Sequence, residues 1–137
     1  MGIVTDHATT IDGVGYKTRT FPATDGLELG RRLARLVDQN SIGEALLGVE
    51  ADDLGAVMGD ADFMLSLIIG AARTSDAGEW SALCKDLLRQ TSADKVRIGA
   101  AEVPGSVHEH FDTHFAGRYK HLLDVCVWAA RVGFGGL

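Results

Sequence analysis

The stretch Ala8-Thr9-Thr10-Ile11-Asp12-Gly13-Val14-Gly15-Tyr16-Lys17-Thr18-Arg19-Thr20-Phe21-Pro22 decides the fold class. Both flanks of the central Asp12-Gly13-Val14-Gly15 are rich in β-branched and aromatic residues, which suit a pleated, half-buried strand. The centre supplies two glycines for a turn. We read a β-hairpin over residues 8–23, closed by Pro22 because the residue before a proline disfavours the helical region. The rest reads mainly as helix. The expectation is α+β, a mostly helical single domain over residues 1–137 with a small N-terminal β-hairpin. A helical core fills residues 24–132, with a short strand near 96–98.

Thr24 reads as a helix N-cap, with Asp25 and Glu28 in the first turn. Leu29, Leu33, Leu36 and Val37 form the apolar stripe of that helix. Ser41 and Glu44 have capping-box spacing and open a second helix. Asp52 or Asp53 caps a short segment through Leu54, Val57 and Met58, and Asp60 or Asp62 caps a buried helix to about residue 73. After the break Ser75-Asp76-Ala77-Gly78, Trp80, Leu83, Cys84, Leu87 and Leu88 fall at i, i+3, i+4, i+7 and i+8. Val96-Arg97-Ile98 is the short strand and residues 99–110 are loop. The last helix runs from Thr113 or Phe115 to Val132, stopped by Gly133-Phe134-Gly135-Gly136.

With 46% hydrophobic and 23% charged residues and only two prolines, the chain is globular rather than disordered. A net charge of −6 argues against nucleic acid as a partner. The N-terminus Met1-Gly2-Ile3-Val4-Thr5-Asp6 lacks the basic and apolar regions of a secretory signal. The longest apolar run, residues 63–72, is about half a membrane span. No membrane partner is expected, and Cys84 and Cys126 read as reduced core residues of a cytoplasmic protein.

His108, His110 and His114 lie close together beside Glu109 and Asp112. On a helix His110 and His114 would share a face, as metal ligands do. The pattern is not His-Glu-x-x-His, and no second cluster supplies further ligands or a base. Solvated or capping histidines are expected instead. Asp60-Ala61-Asp62 opens like a calcium loop, but Leu65 and Ala71 stand where the glycine and glutamate belong. Gly13-Val14-Gly15 lacks the rest of a dinucleotide fingerprint. No serine has a nucleophile elbow, and Cys84 sits on a core stripe. The expectation is no catalytic residue, no metal, no cofactor and no enzyme.

Charge is unevenly placed. No Lys or Arg occurs between Arg35 and Arg73, while Asp38, Glu44, Glu50, Asp52, Asp53, Asp60 and Asp62 all fall there. That stretch is either a solvated face with capping aspartates or a surface for a basic partner, with Glu50, Asp52 and Asp53 at its centre. The last helix is apolar on two sides. Tyr119, Leu122, Leu123, Cys126 and Ala130 make one stripe, and Val125, Trp128 and Val132 a second one pointing the other way. Such a helix is either central in its own fold or covered by another chain, a second copy included. Val125, Trp128 and Val132 are the candidate partner-binding residues on that side.

Two stretches together carry a family resemblance. Tyr16-Lys17, then Phe21-Pro22-Ala23-Thr24 and Leu27-Glu28-Leu29, resembles the opening of small tail-assembly proteins of contractile and long-tailed bacteriophages. Phe111-Asp112-Thr113-His114-Phe115-Ala116-Gly117-Arg118-Tyr119, followed by Leu122-Leu123 and Val127-Trp128, resembles their C-terminal signature. The likeness covers about residues 15–132. The end, from Val132 to Leu137, departs from the aromatic-ended tail common in such proteins. The resemblance implies a non-enzymatic phage tail assembly chaperone of the host cytoplasm. It would bind the tape-measure protein, or other tail components, before the tail tube polymerises. Two alternatives stand beside it: a structural component of the virion tail or baseplate, and a small metal-dependent enzyme using the histidines at 108–114.

Overall fold

A computed structural model describes residues 6–37, 60–74 and 76–135. Strands β1 (Asp6–Ile11) and β2 (Val14–Arg19) pair antiparallel, with Thr9 opposite Tyr16 and Ile11 opposite Val14. Asp12 and Gly13 make the turn at φ values of 50° and 82°. A two-residue turn with both residues left-handed matches the twist of hairpin strands, and Asp-Gly adopts it readily.

Strands β3 (Ser92–Ile98) and β4 (Ala101–Ser106) extend the hairpin into a four-stranded antiparallel sheet ordered β1-β2-β3-β4. This corrects the expected fold. The protein is α+β, but the N-terminal hairpin is only half of its sheet, not a small addition to a mostly helical chain. The added strands alternate poorly. A register shift between Ala93 and Val96 interrupts the in–out pattern of β3, leaving only its last residues with a strand signature. Edge strand β4 carries Pro104 and Gly105 and is exposed over most of its length. Proline is tolerated at an edge, and a strand with no buried face shows no hydrophobic period.

Helix α1 (Ala23–Val37) starts directly after Pro22, whose carbonyl accepts the Gly26 N–H at 2.9 Å. Helix α2 (Ala61–Thr74) is capped by Asp60, which accepts the Phe63 N–H at 2.8 Å. Asp76 caps α3 (Ala77–Leu87) through the Glu79 N–H, also at 2.8 Å. Each carboxylate satisfies an amide with no partner inside its helix, and its charge complements the helix dipole. The expected final helix is in fact divided. One turn, α4 (Phe111–His114), is followed by Gly117 at φ 72° and then α5 (Tyr119–Gly133). Glycine takes that conformation without strain, so the chain can bend there. The helices expected after Ser41 and around Leu54 lie outside the described residues.

Val14, Tyr16 and Thr18 of β2 point into the core, while Lys17 and Arg19 point to solvent. Helix α5 lies against β1 and β2, α4 against β3, and α2 and α3 both pack on α5. Met64, Ile68, Leu83, Leu87, Val96 and Val125 are fully buried at this junction. Each such side chain withdrawn from water contributes about 1.5–3 kcal/mol. Of the two readings of the two-sided last helix, the packing agrees with a helix central in its own fold. Val125 and Val132 do not face away from the core; they are 0% and 1% exposed, while Leu122 and Leu123 are only partly buried. With the sheet on one side and α2 and α3 on others, α5 is central in its own fold.

Candidate functional site

Helix α4 divides an apolar groove from a buried polar cluster. On the groove side, Phe111 and Phe115 meet edge-to-face with centroids 5.4 Å apart. Together with Trp80 of α3 and Tyr119, Leu122 and Leu123 of α5 they wall a cavity of about 530 Å³. Tyr119 is 73% exposed, and Asp112 adds a charge at the rim. Cys84 lies along the same groove, itself buried. A hydrogen bond with Cys126, reinforced by burial, holds its thiol far above the ordinary range, so it stays protonated and inert. A second cavity of about 550 Å³ lies on the sheet beside Thr10, Lys17, Ser92 and Asp94, where short and charged side chains dominate.

Behind α4, Tyr16 Oη lies 2.7 Å from His114 Nε2 and 2.6 Å from His121 Nε2. All three side chains are buried. The Arg97 backbone N–H donates to His114 Nδ1 at 3.1 Å, and His121 Nδ1 lies 3.0 Å from an Asp12 carboxylate oxygen. A backbone amide can only donate, so His114 Nδ1 is bare and its Nε2 carries the proton. That N–H donates to Tyr16 Oη. The phenol proton then goes to His121 Nε2, and His121 donates Nδ1–H to Asp12. One proton arrangement satisfies the whole chain of groups.

The titrations follow from these surroundings. Burial lowers His114 to about 4, assisted by the positive charge of Arg118, by His121 and by Arg97. Burial likewise holds the Tyr16 phenol above its ordinary value. The hydrogen bond from His121 keeps the Asp12 carboxyl below the usual range.

The expectation of solvated or capping histidines is therefore corrected for His114, which together with His121 bridges α4 and α5 to the sheet. His108 donates Nδ1–H to the Lys85 carbonyl at 2.8 Å. His110 stands at the N-cap of α4 without a side-chain capping bond, and its carbonyl accepts the His114 N–H at 2.9 Å. Among the described residues no group of three or more His, Cys, Asp or Glu could hold a metal ion. Nor is any described helix long and apolar enough to cross a membrane.

Residues 12–137 match the family model described as phage tail assembly chaperone protein, TAC. The chain belongs to that family. The match contains both stretches that carried the resemblance, the one beginning at Tyr16 and the one ending at Trp128. No curated protein and no solved structure matches the chain.

In this tail assembly chaperone the residues expected to bind a partner are scattered. Val125 and Val132 belong to the interior. Trp128 is partly buried and lines a shallow depression of about 200 Å³ with Asp124, Val127 and Arg131. Glu50, Asp52 and Asp53 lie outside the described residues. Of the groove's residues, the sequence reading puts Trp80, Cys84, Tyr119, Leu122 and Leu123 on core stripes and gives Phe111 and Phe115 no packing role. The signal for it lay in Phe111, Phe115 and Tyr119, spaced four apart across a glycine that ends helical continuity.

Proposed function

We propose that the chain acts in the host cytoplasm, without enzymatic chemistry, by binding the tape-measure protein before the tail tube polymerises. Docking is at the groove of Trp80, Phe111, Phe115 and Tyr119. The observation that carries this reading is the groove itself: about 530 Å³, with four aromatic walls, one of them 73% exposed. Its support from the family is coarser, a role in tail assembly. Amphipathic helices dock into apolar grooves through residues at helical spacing, and buried aromatics carry much of such interfaces. An amphipathic helical segment of a tape-measure protein would offer that kind of stripe.

The test is a titration with overlapping segments of the tape-measure protein from the same phage. Tyr119→Ser and Trp80→Ala should each weaken binding about tenfold or more. Glu102→Ala on the edge strand β4 should leave it unchanged. Wild-type affinity in both groove variants would overturn the reading.

A further inference from the structure

Resting on that docking site, we propose that Tyr16, His114 and His121 form a proton-operated latch. It holds α4, and with it the Phe111 and Phe115 wall of the groove, against the sheet only while both imidazoles are neutral.

The argument is a count of hydrogens. Two contacts meet at Tyr16 Oη, at 2.7 and 2.6 Å, and two protons fill them: His114 Nε2–H and the phenol O–H. A third proton, placed on His121 Nε2, enters the same two contacts. Two N–H groups then point at one oxygen, whose own hydrogen has nowhere to go in a dry interior. An orphaned buried hydroxyl is unfavourable, so one of the two contacts must give.

The surroundings decide which group takes the proton and which contact yields. Arg97 of β3 and Arg118, just after α4, both oppose positive charge on His114. Arg118 also donates to the His114 carbonyl through Nε at 3.1 Å, which fixes it close by. His121 faces the Asp12 carboxylate at 3.0 Å instead. Lys120 of α5 and Asp94 of β3 complete the charged groups, acting on Asp12 and Tyr16 respectively. A proton on His121 is thus matched by the Asp12 carboxylate, and the resulting ion pair holds that ring in place. The contact that opens is Tyr16 to His114.

His114 is the last residue of α4, and its ring packs on Phe115 at 4.6 Å. A single helical turn has no stability of its own. Besides its packing on β3, the hydrogen bonds that remain to tie it to the sheet among the described residues are the Thr113 hydroxyl on the Arg97 carbonyl at 2.9 Å and the Arg97 N–H on His114. Releasing the Tyr16 contact thus loosens one wall of the docking groove. Through this latch, acidification would reshape the surface offered to the partner.

Nuclear magnetic resonance on the full chain tests this without any partner. Near neutral pH, long-range proton–nitrogen correlations should show His114 protonated at Nε2 and His121 at Nδ1. On acid titration the amide shifts of Phe111 and Phe115 should follow the midpoint of the His121 ring. In Tyr16→Phe, which has no hydroxyl proton to place, that coupling should be lost. Opposite tautomers, α4 shifts that stay flat while His121 titrates, or unchanged coupling in Tyr16→Phe would each overturn the latch. The wild-type tautomers and titration decide the matter even if the variant does not fold. A failed docking site would show separately, as segment binding indifferent to Trp80 and Tyr119.

Discussion

Phe21 and Gly133 touch with no space for another atom between them. A Cβ at Gly133 would lie 2.3 Å from the Phe21 ring, and the Phe21 N–H donates to the Gly133 carbonyl at 2.9 Å. The same ring meets Phe134 edge-to-face with centroids 5.1 Å apart. The end of the hairpin is thereby locked to the end of α5. Gly133→Ala should cost about 1–3 kcal/mol, the usual range for forcing extra volume into packed surroundings. Gly30, inside α1, is the counterpart: its added Cβ would meet only Phe134, at an ordinary 3.9 Å. Gly30→Ala should stabilise by about 0.5–1 kcal/mol, because alanine loses less backbone entropy in a helix. Urea unfolding of the two variants reads both signs.

The buried His114 makes stability depend on pH. Its folded-state value of about 4 lies below the ordinary 6.5, so the unfolded chain binds the proton more readily. Stability from this group is complete above about pH 6.5 and is lost as pH falls from there towards 4. The full loss is roughly 3 kcal/mol at about 1.4 kcal/mol per unit. Denaturant midpoints between pH 7.5 and 4.5 should show the decline, and His114→Gln should flatten it. A wild-type profile flat through that window would show that His114 is not held neutral by burial.

How much of this could be read from the residues varies with the physics. The hairpin was legible because Asp-Gly between β-rich flanks has one favoured turn. Of the sheet's other half only Val96-Arg97-Ile98, the end of β3, was legible, since the register shift in β3 and an exposed edge with Pro104 leave no alternating pattern. A capping aspartate such as Asp60 acts over three residues, and local rules capture it, whereas Asp76 was read only as part of a break. Tyr16 with His114 and His121 could not be foreseen, because its contacts span about a hundred positions of chain. Val125 and Val132 misled for a related reason: periodicity shows that a helix has two apolar faces but not what covers the second.

Core and groove should respond differently to the same substitution. Leu87 is fully buried on α3, whereas Leu123 is partly buried and lines the groove. Leu87→Ala should cost about 2–5 kcal/mol of stability. Leu123→Ala should cost less, because solvent can relax into the gap, and should weaken tape-measure binding more than it weakens the fold. Thermal melts beside segment titrations separate the two effects. Equal destabilisation by both changes would place Leu123 in the core instead.

Charge supplies the final prediction. The segment without Lys or Arg contains Asp38, Glu44, Glu50, Asp52, Asp53, Asp60 and Asp62, while the rest of the chain is close to neutral. Asp60 has a local role, capping α2. Helix capping alone does not explain so many acids with no intervening base. If Glu50, Asp52 and Asp53 attract a basic stretch of the partner, the attraction acts before contact and reaches about a Debye length, roughly 8–10 Å at physiological salt. It therefore belongs to the association rate rather than to residence time. Stopped-flow mixing with a tape-measure segment should show association slowing about tenfold as salt rises from low to high ionic strength. Glu50→Lys, Asp52→Lys and Asp53→Lys together should reduce the low-salt rate while leaving the melting temperature and dissociation rate nearly unchanged. Groove variants such as Tyr119→Ser should do the reverse, speeding dissociation at every salt concentration. An association rate indifferent to salt would leave those three acids as a solvated face, with the aromatic groove binding alone.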